Sequence, residues 1–181
     1  MTSSFSARRI AAFVSALALI APGAALAQTA AAPTAASHVR SDAREQVPAA
    51  LLGMWKADIA ASAYTSTPPR EALRSFQYTA DAKVLVTFMT VGADGNVTMG
   101  HWAAQVDGSE ALEYHSNAGS TPYNVVTLTK VDERNFNLVV SRAGVTSITG
   151  TYLLSEDGQT LTYKYTASGK DTTVVYRRWT A

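Results

Sequence analysis

Five glycine-containing turns divide this chain, after residue 90, into short segments rich in Thr, Val and Tyr. The turns are Asp94-Gly95-Asn96, Asp107-Gly108-Ser109, Ala143-Gly144, Glu156-Asp157-Gly158 and Ser168-Gly169-Lys170. β-Branched and aromatic residues favour strands, and glycine accepts the positive φ that hairpin turns require. Connections this short cannot carry the crossover of about a dozen residues that parallel strands need. The chain is therefore predicted to form antiparallel strands joined by hairpins.

Nine segments after Leu51 are predicted to be strands, with Met54–Asp58 as a candidate tenth. The nine are 74–79, 83–91, 97–106, 112–115, 123–131, 135–141, 145–154, 160–166 and 172–179. Residues 136–140 and 161–165 alternate between apolar and polar side chains, as expected of a wall between core and water. An open sheet of this size would leave two exposed edges, which closure removes. We therefore predict an all-β, up-and-down antiparallel barrel of about eight to ten strands.

The first 27 residues have the pattern of a signal peptide. Arg8 and Arg9 precede the apolar run 10–20, and Ala25-Leu26-Ala27 supplies the small residues of a cleavage site. The run is shorter than the roughly 20 residues of a membrane span, so no membrane span is predicted. The sequence thus predicts cleavage after Ala27 and a periplasmic or secreted protein.

Residues 28–50 are rich in Ala, Thr, Pro and Ser and are predicted to form a flexible tether. Such a segment buries too little apolar surface to offset the entropy lost on ordering. A short helix is compatible with residues 41–46, since Ser41 is a suitable N-cap and Pro48 a stop. Residues 51–181 form the predicted barrel domain.

Composition excludes several classes of function. With 15 Lys and Arg against 14 Asp and Glu, the chain has no basic surplus for a nucleic-acid backbone, so no nucleic acid is predicted as partner. Cysteine is absent, which rules out disulfides and thiolate metal sites. No cofactor and no metal are predicted, and no protein partner is identified.

The start and end of the barrel resemble small secreted bacterial lipocalin-like domains, a calycin-type group whose members seldom have a known activity. The residues that carry the resemblance are 51–58, Ser62-Ala63-Tyr64, Pro68-Pro69, 155–162 and 175–178. The resemblance implies that Gly53 and Trp55 form the G-x-W motif and that Arg178, or alternatively Arg177, packs on the indole. It assigns these residues to a structural plug at one end of the barrel.

No catalytic residues are predicted, because the chain lacks the G-x-S-x-G nucleophile motif and any glycine loop that opens a helix. Glu113 and His115 are two apart and share one face of a strand. Together with His101 they form an alternative site, either for a metal or for a hydrolytic base. Their spacing matches no established metal motif.

A ligand-binding interior has more support. Val84, Val86 and Phe88 share one strand face, Trp102 and Ala104 a second, and Tyr163 and Tyr165 a third. We predict that Phe88, Trp102, Tyr163 and Tyr165 bind a small hydrophobic or amphipathic ligand, with room left beside Trp102 by Gly100 and Ala104. The sequence leaves two interpretations open: a hollow barrel that binds a ligand, and a filled-core envelope scaffold or interaction protein.

Overall fold

The structure, a computed structural model, describes residues 42–116 and 123–180. The predicted signal peptide (1–27) and the first part of the predicted tether lie outside these residues. Little of the described chain is helical. The elements are helix α1 (Ala43–Gln46), a 3-10 turn (Ala49–Leu51) and strands β1 (Gly53–Ala63), β2 (Glu71–Tyr78), β3 (Val84–Val91), β4 (Val97–Ala104), β5 (Asp107–His115), β6 (Asn124–Lys130), β7 (Asn135–Arg142), β8 (Val145–Leu154), β9 (Thr160–Ala167) and β10 (Lys170–Trp179).

The ten strands form a closed antiparallel barrel. Each strand pairs with its neighbours in sequence, and β1 closes the ring by pairing with β10, where Trp55 lies opposite Arg178. The predicted all-β up-and-down barrel is confirmed, and the candidate tenth strand is β1, which extends to Ala63. The fold is consistent with a calycin-type, lipocalin-like barrel.

One predicted hairpin turn is wrong. Asp107-Gly108-Ser109 lies inside the start of β5, and the turn from β4 falls at Gln105 and Val106 instead. The pairing of β5 with β6 shifts register between Asp107 and Glu110, and Gly108 has a φ of 84°. The glycine therefore serves a β-bulge, a second structure for which positive φ is needed.

One end of the barrel is closed by the residues that precede β1. Trp55 is fully buried, and its Nε1 donates a hydrogen bond of 2.9 Å to the Leu51 carbonyl. The Arg178 guanidinium lies 4.3 Å from the centre of the Trp55 ring system and donates to the carbonyls of Leu52 (2.8 Å) and Gly158 (3.0 Å). Arg177, the alternative partner, points outward to Asp58, at 3.4 Å.

Residues 42–50 pack on this closed end, although the sequence assigns them to the tether. The Asp42 side chain caps α1, and the Tyr78 hydroxyl donates a hydrogen bond of 2.7 Å to the Val47 carbonyl. Ala43 and Val47 are buried. Because residues 42–50 bury only these two side chains, their sequence shows no hydrophobic periodicity. The composition of the segment therefore predicts a tether although the segment is packed.

Candidate ligand-binding cavity

The interior of the barrel is filled in one half and hollow in the other. Large, fully buried side chains occupy the half near the closed end, and they include Trp55, Phe76, Val84, Val86, Leu128, Phe136, Tyr152 and Leu161. The half near the open end contains a cavity of about 440 Å³. Along β2, Ala72 and Arg74 line this cavity whereas Phe76 belongs to the core. The sequence leaves a filled interior and a hollow interior as alternatives, and the barrel has one filled half and one hollow half.

All four residues predicted to contact a ligand line the cavity. Phe88, Trp102, Tyr163 and Tyr165 reach it from three different strands. Their role in binding remains a prediction, but the structure brings them together. Tyr163 and Tyr165 are stacked, with ring centres 4.9 Å apart and planes inclined by 24°.

The space does not arise where the sequence places it. A Cβ on Gly100 would collide with the Phe88 ring and would lie 2.7 Å from the His115 Cβ, so neighbouring side chains already cover this glycine. Ala104 faces the filled half of the barrel. The cavity is instead bounded on β2, β7, β8 and β10 by Ala72, Val140, Ile148 and Val174.

A cation lies at the inner end of the cavity. The Arg74 guanidinium is 5.0 Å from the ring centre of Tyr163, 5.3 Å from Tyr152, 5.8 Å from Tyr176 and 5.9 Å from Phe88. Its Nε is buried without a hydrogen-bond partner, and it forms no ion pair with any described residue. Arg74 is half-buried, and the aromatic faces around it offset part of the cost of its partial removal from water.

Further polar atoms of the interior also lack partners. The hydroxyls of Tyr64 and Tyr152 are buried without hydrogen bonds, and Tyr152 stacks on Tyr163 with ring centres 4.5 Å apart. Burial raises the pKa of Tyr163 well above its ordinary value, an effect that the charge of Arg74 opposes in part. Buried polar groups usually have partners, and two of the unpaired ones, the Arg74 Nε and the Tyr64 hydroxyl, belong to residues that line the cavity.

The part of the cavity wall formed by β5 carries a paired carboxylate. Glu113 lines the cavity and accepts a hydrogen bond of 2.8 Å from Asn124, while His115 Nε2 lies 4.0 Å from its Oε1. Glu113 and His115 share one face, as predicted. His101 pairs with Tyr114 and stacks on its ring on the outer face, with ring centres 5.4 Å apart.

The alternative site of two histidines and Glu113 is therefore not assembled. His101 neighbours the inward-facing Trp102, so strand alternation already places it outside. Within residues 42–116 and 123–180, no group of three His, Asp or Glu side chains is arranged to hold a metal ion.

The open end is covered in part by two loops. Tyr64, Ser66, Thr67 and Pro69 of the connection between β1 and β2 reach over the cavity, and Gly92 and Ala93 follow β3. A second hollow, of about 570 Å³, lies on the outer wall. Its lining includes the exposed side chains of Met54, Met99 and Tyr114.

Arg74 is the feature that sequence reasoning missed. The strand pattern puts Arg74 first in the predicted segment 74–79 and does not by itself assign its face. Its spacing of two from Phe76, an aromatic residue expected inside, is the signal that would have placed its side chain in the interior. An arginine on the apolar face of a strand is unusual enough to be noticed.

Comparison with known proteins gives the fold and no family. No protein-family model matches the chain, and no curated protein matches it. Among solved structures it is similar to "As-p18, an extracellular fatty acid binding protein", with a TM-score of 0.50 and 14% identity, covering 74% of this chain and 99% of that one. It is also similar to Rv2717c from M. tuberculosis, with a TM-score of 0.44 and 22% identity, covering 73% and 94%. No helix in the described part of the chain is long and apolar enough to span a membrane.

Proposed function

We propose that this protein binds one small amphipathic molecule in the open half of its barrel, in contact with Phe88, Trp102, Tyr163 and Tyr165. The observation that carries the proposal is the cavity of about 440 Å³ with aromatic walls and an unpaired cation. Its volume falls in the range of about 300–1,000 Å³ typical of ligand sites. A stable barrel has no need to keep such space empty, because interiors usually pack to crystal-like density.

The likeness to As-p18 supports the proposal at the level of architecture. That protein is a fatty acid binding protein, and the match covers 74% of this chain. At 14% identity the likeness extends to the fold and not to the residues of the site. It offers a precedent for a protein of this fold that binds a fatty acid.

We further propose that binding takes place after export, in the periplasm or outside the cell. The support is the signal-like pattern of residues 1–27, followed by the predicted tether. N-terminal sequencing of exported protein should find Gln28 first. Exported material that retains Met1 would contradict this part of the proposal.

Trp102 provides the direct assay of binding. It is buried and lines the cavity, whereas Trp55 belongs to the closed end and Trp179 ends the last strand. Titration with a panel of fatty acids, quinones and aromatic acids should change tryptophan emission to saturation. Trp102→Phe should remove most of that change.

A pair of variants on β7 tests whether the cavity is the binding site. Val140 is buried and lines the cavity, while its neighbour Val139 points to the outside. Val140→Phe should narrow the cavity and weaken binding, and Val139→Phe should leave the affinity unchanged. Absence of binding across the whole panel would favour the alternative, a scaffold or interaction protein. Ligand affinity that survives Val140→Phe would place the site elsewhere, for example in the outer hollow beside Met99.

A further inference from the structure

The position of Arg74 determines where the polar group of a ligand would lie. Arg74 is the fourth residue of β2 from the open end, and the next inward residue, Phe76, is already part of the filled core. The guanidinium therefore stands at the inner end of the cavity. A charged ligand group that meets it enters first and lies deepest.

The chemistry of the inner end favours an anion with two oxygens. A guanidinium presents planar, paired N–H donors that match a carboxylate. Arg74 has no carboxylate partner among the described residues, while Glu113 already accepts a hydrogen bond from Asn124. Tyr163, whose pKa burial raises further above its ordinary value, is a neutral hydroxyl at neutral pH and does not pair with the guanidinium as an anion.

The depth of the cavity limits the length of the ligand. Three residue steps separate Arg74 from the open end of β2 at Glu71, which is about 10 Å at about 3.3 Å per residue. Four steps on β9, from Tyr163 to Ala167, give about 13 Å. Strand tilt shortens both distances along the barrel axis. An extended chain of sixteen carbons is about 20 Å long from its bond lengths, so it would have to bend or to reach past the strand ends to the loop residues, such as Tyr64 and Gly92, that also line the cavity.

The walls favour a ring over an alkyl chain. The stacked pair Tyr163 and Tyr165 lines one side of the cavity, and Phe88, Trp102 and Tyr176 line others. Aromatic faces and edges gain additional energy from another ring through stacked or edge-on contacts, beyond the burial of area. An alkyl chain gains only the burial.

We infer that the ligand is a compact aromatic carboxylate of one or two fused rings, with its carboxylate on Arg74 and its ring between Trp102 and the Tyr163–Tyr165 pair. The inference rests on the proposed function and narrows its ligand class. It separates this barrel from one built for a long-chain fatty acid.

Three ligands that differ in charge, or in length and ring content, test the inference on the wild-type protein. These are 2-naphthoate, its neutral counterpart 2-naphthamide, and palmitate, with affinities taken from tryptophan emission and calorimetry. A charge-assisted contact predicts that 2-naphthoate binds about tenfold or more tightly than 2-naphthamide. The depth of the cavity predicts that it also binds more tightly than palmitate.

Variants of Arg74 assign the effect to one residue. Arg74→Gln should lower the affinity for 2-naphthoate about 10- to 100-fold and leave the affinity for 2-naphthamide nearly unchanged. The affinity of Arg74→Lys for 2-naphthoate should lie between those of the wild type and Arg74→Gln. Lys164→Gln is the matched control, because it removes the same charge from the exposed outer face of β9. Circular dichroism checks the fold of each variant, and if Arg74→Gln does not fold, the wild-type comparison of acid with amide decides.

The outcomes separate the inference from the proposed function. Equal affinity for 2-naphthoate and 2-naphthamide, or tighter binding of palmitate, overturns the inference while the barrel remains a ligand-binding protein. If other compounds of the panel bind and 2-naphthoate does not, the inference is likewise overturned and the proposed function stands. If none of the three ligands and no panel compound binds, the proposed function itself fails.

Discussion

Replacement of Trp55 by alanine tests how much the closed end contributes to stability. The indole is fully buried, and an indole removes about 200 Å² from water, which at about 25 cal/mol per Å² corresponds to roughly 5 kcal/mol. Measured substitutions of buried aromatic residues by alanine cost about 3–5 kcal/mol. The Leu51 carbonyl also loses its donor, at about 1 kcal/mol.

We therefore expect Trp55→Ala to lower the free energy of unfolding by about 4–6 kcal/mol, a large part of the roughly 5–15 kcal/mol of a typical domain. The melting temperature should fall by about 10–20 °C. Urea unfolding followed by circular dichroism measures the change. Trp55→Phe keeps most of the ring and loses the hydrogen bond, so it should cost about 1–2 kcal/mol.

Trp179→Ala is the matched control, since this indole at the end of β10 is 38% exposed. Its loss should cost about 1 kcal/mol or less. Equal destabilisation by Trp55→Ala and Trp179→Ala would show that the buried indole does not hold the closed end, and the reasoning above would be refuted.

Two further predictions concern the barrel wall and acid stability. Gly100→Ala should destabilise the protein by about 1–3 kcal/mol in thermal unfolding, because the new Cβ would lie 2.6 Å from the Tyr114 carbonyl oxygen; an unchanged melting temperature would contradict this. Hydrogen bonds from Lys83 and Thr79 lower the pKa of Asp81 from 3.8 to about 2. Because the pKa of Asp81 is lower in the folded state, its ionised carboxylate stabilises the fold fully above the unfolded pKa. This stabilisation is lost as pH falls from about 4 to about 2. Asp81→Asn should therefore reduce the fall in melting temperature between about pH 4 and about pH 2. An unaltered dependence of the melting temperature on pH would show that the contacts of Asp81 with Lys83 and Thr79 do not stabilise the fold.

The sequence predicted the barrel well because its strands are separated by local signals. Alternation along residues 136–140 and 161–165 identified the inward faces, and short turns required antiparallel neighbours. The bulge at Gly108 was misread because a turn and a bulge both favour glycine at positive φ. The contacts of residues 42–50 were missed because Ala43 and Val47 are held by a few long-range contacts that leave no periodic pattern.

The site was predicted in part. Face alternation brought Phe88, Trp102, Tyr163 and Tyr165 to the interior, but the extent of the cavity depends on side-chain volumes from several strands at one level, which requires the register. For the same reason Gly100 was expected to leave space that Phe88 occupies. Arg74 was overlooked because an arginine is expected at the surface unless its strand neighbours are taken into account.

The division of the interior has a consequence for variation. Stability depends mainly on the tightly packed side chains near the closed end, such as Leu161 and Phe136, whereas Ile148 and Val174 border empty space. Larger side chains at the latter positions can extend into the cavity instead of displacing packed neighbours, so they change its shape and polarity at a smaller cost in stability. A library restricted to the open half should therefore yield folded barrels with altered ligand preference at high frequency. In this barrel the closed end stabilises the fold, and residues at the open end can vary to change which ligand binds.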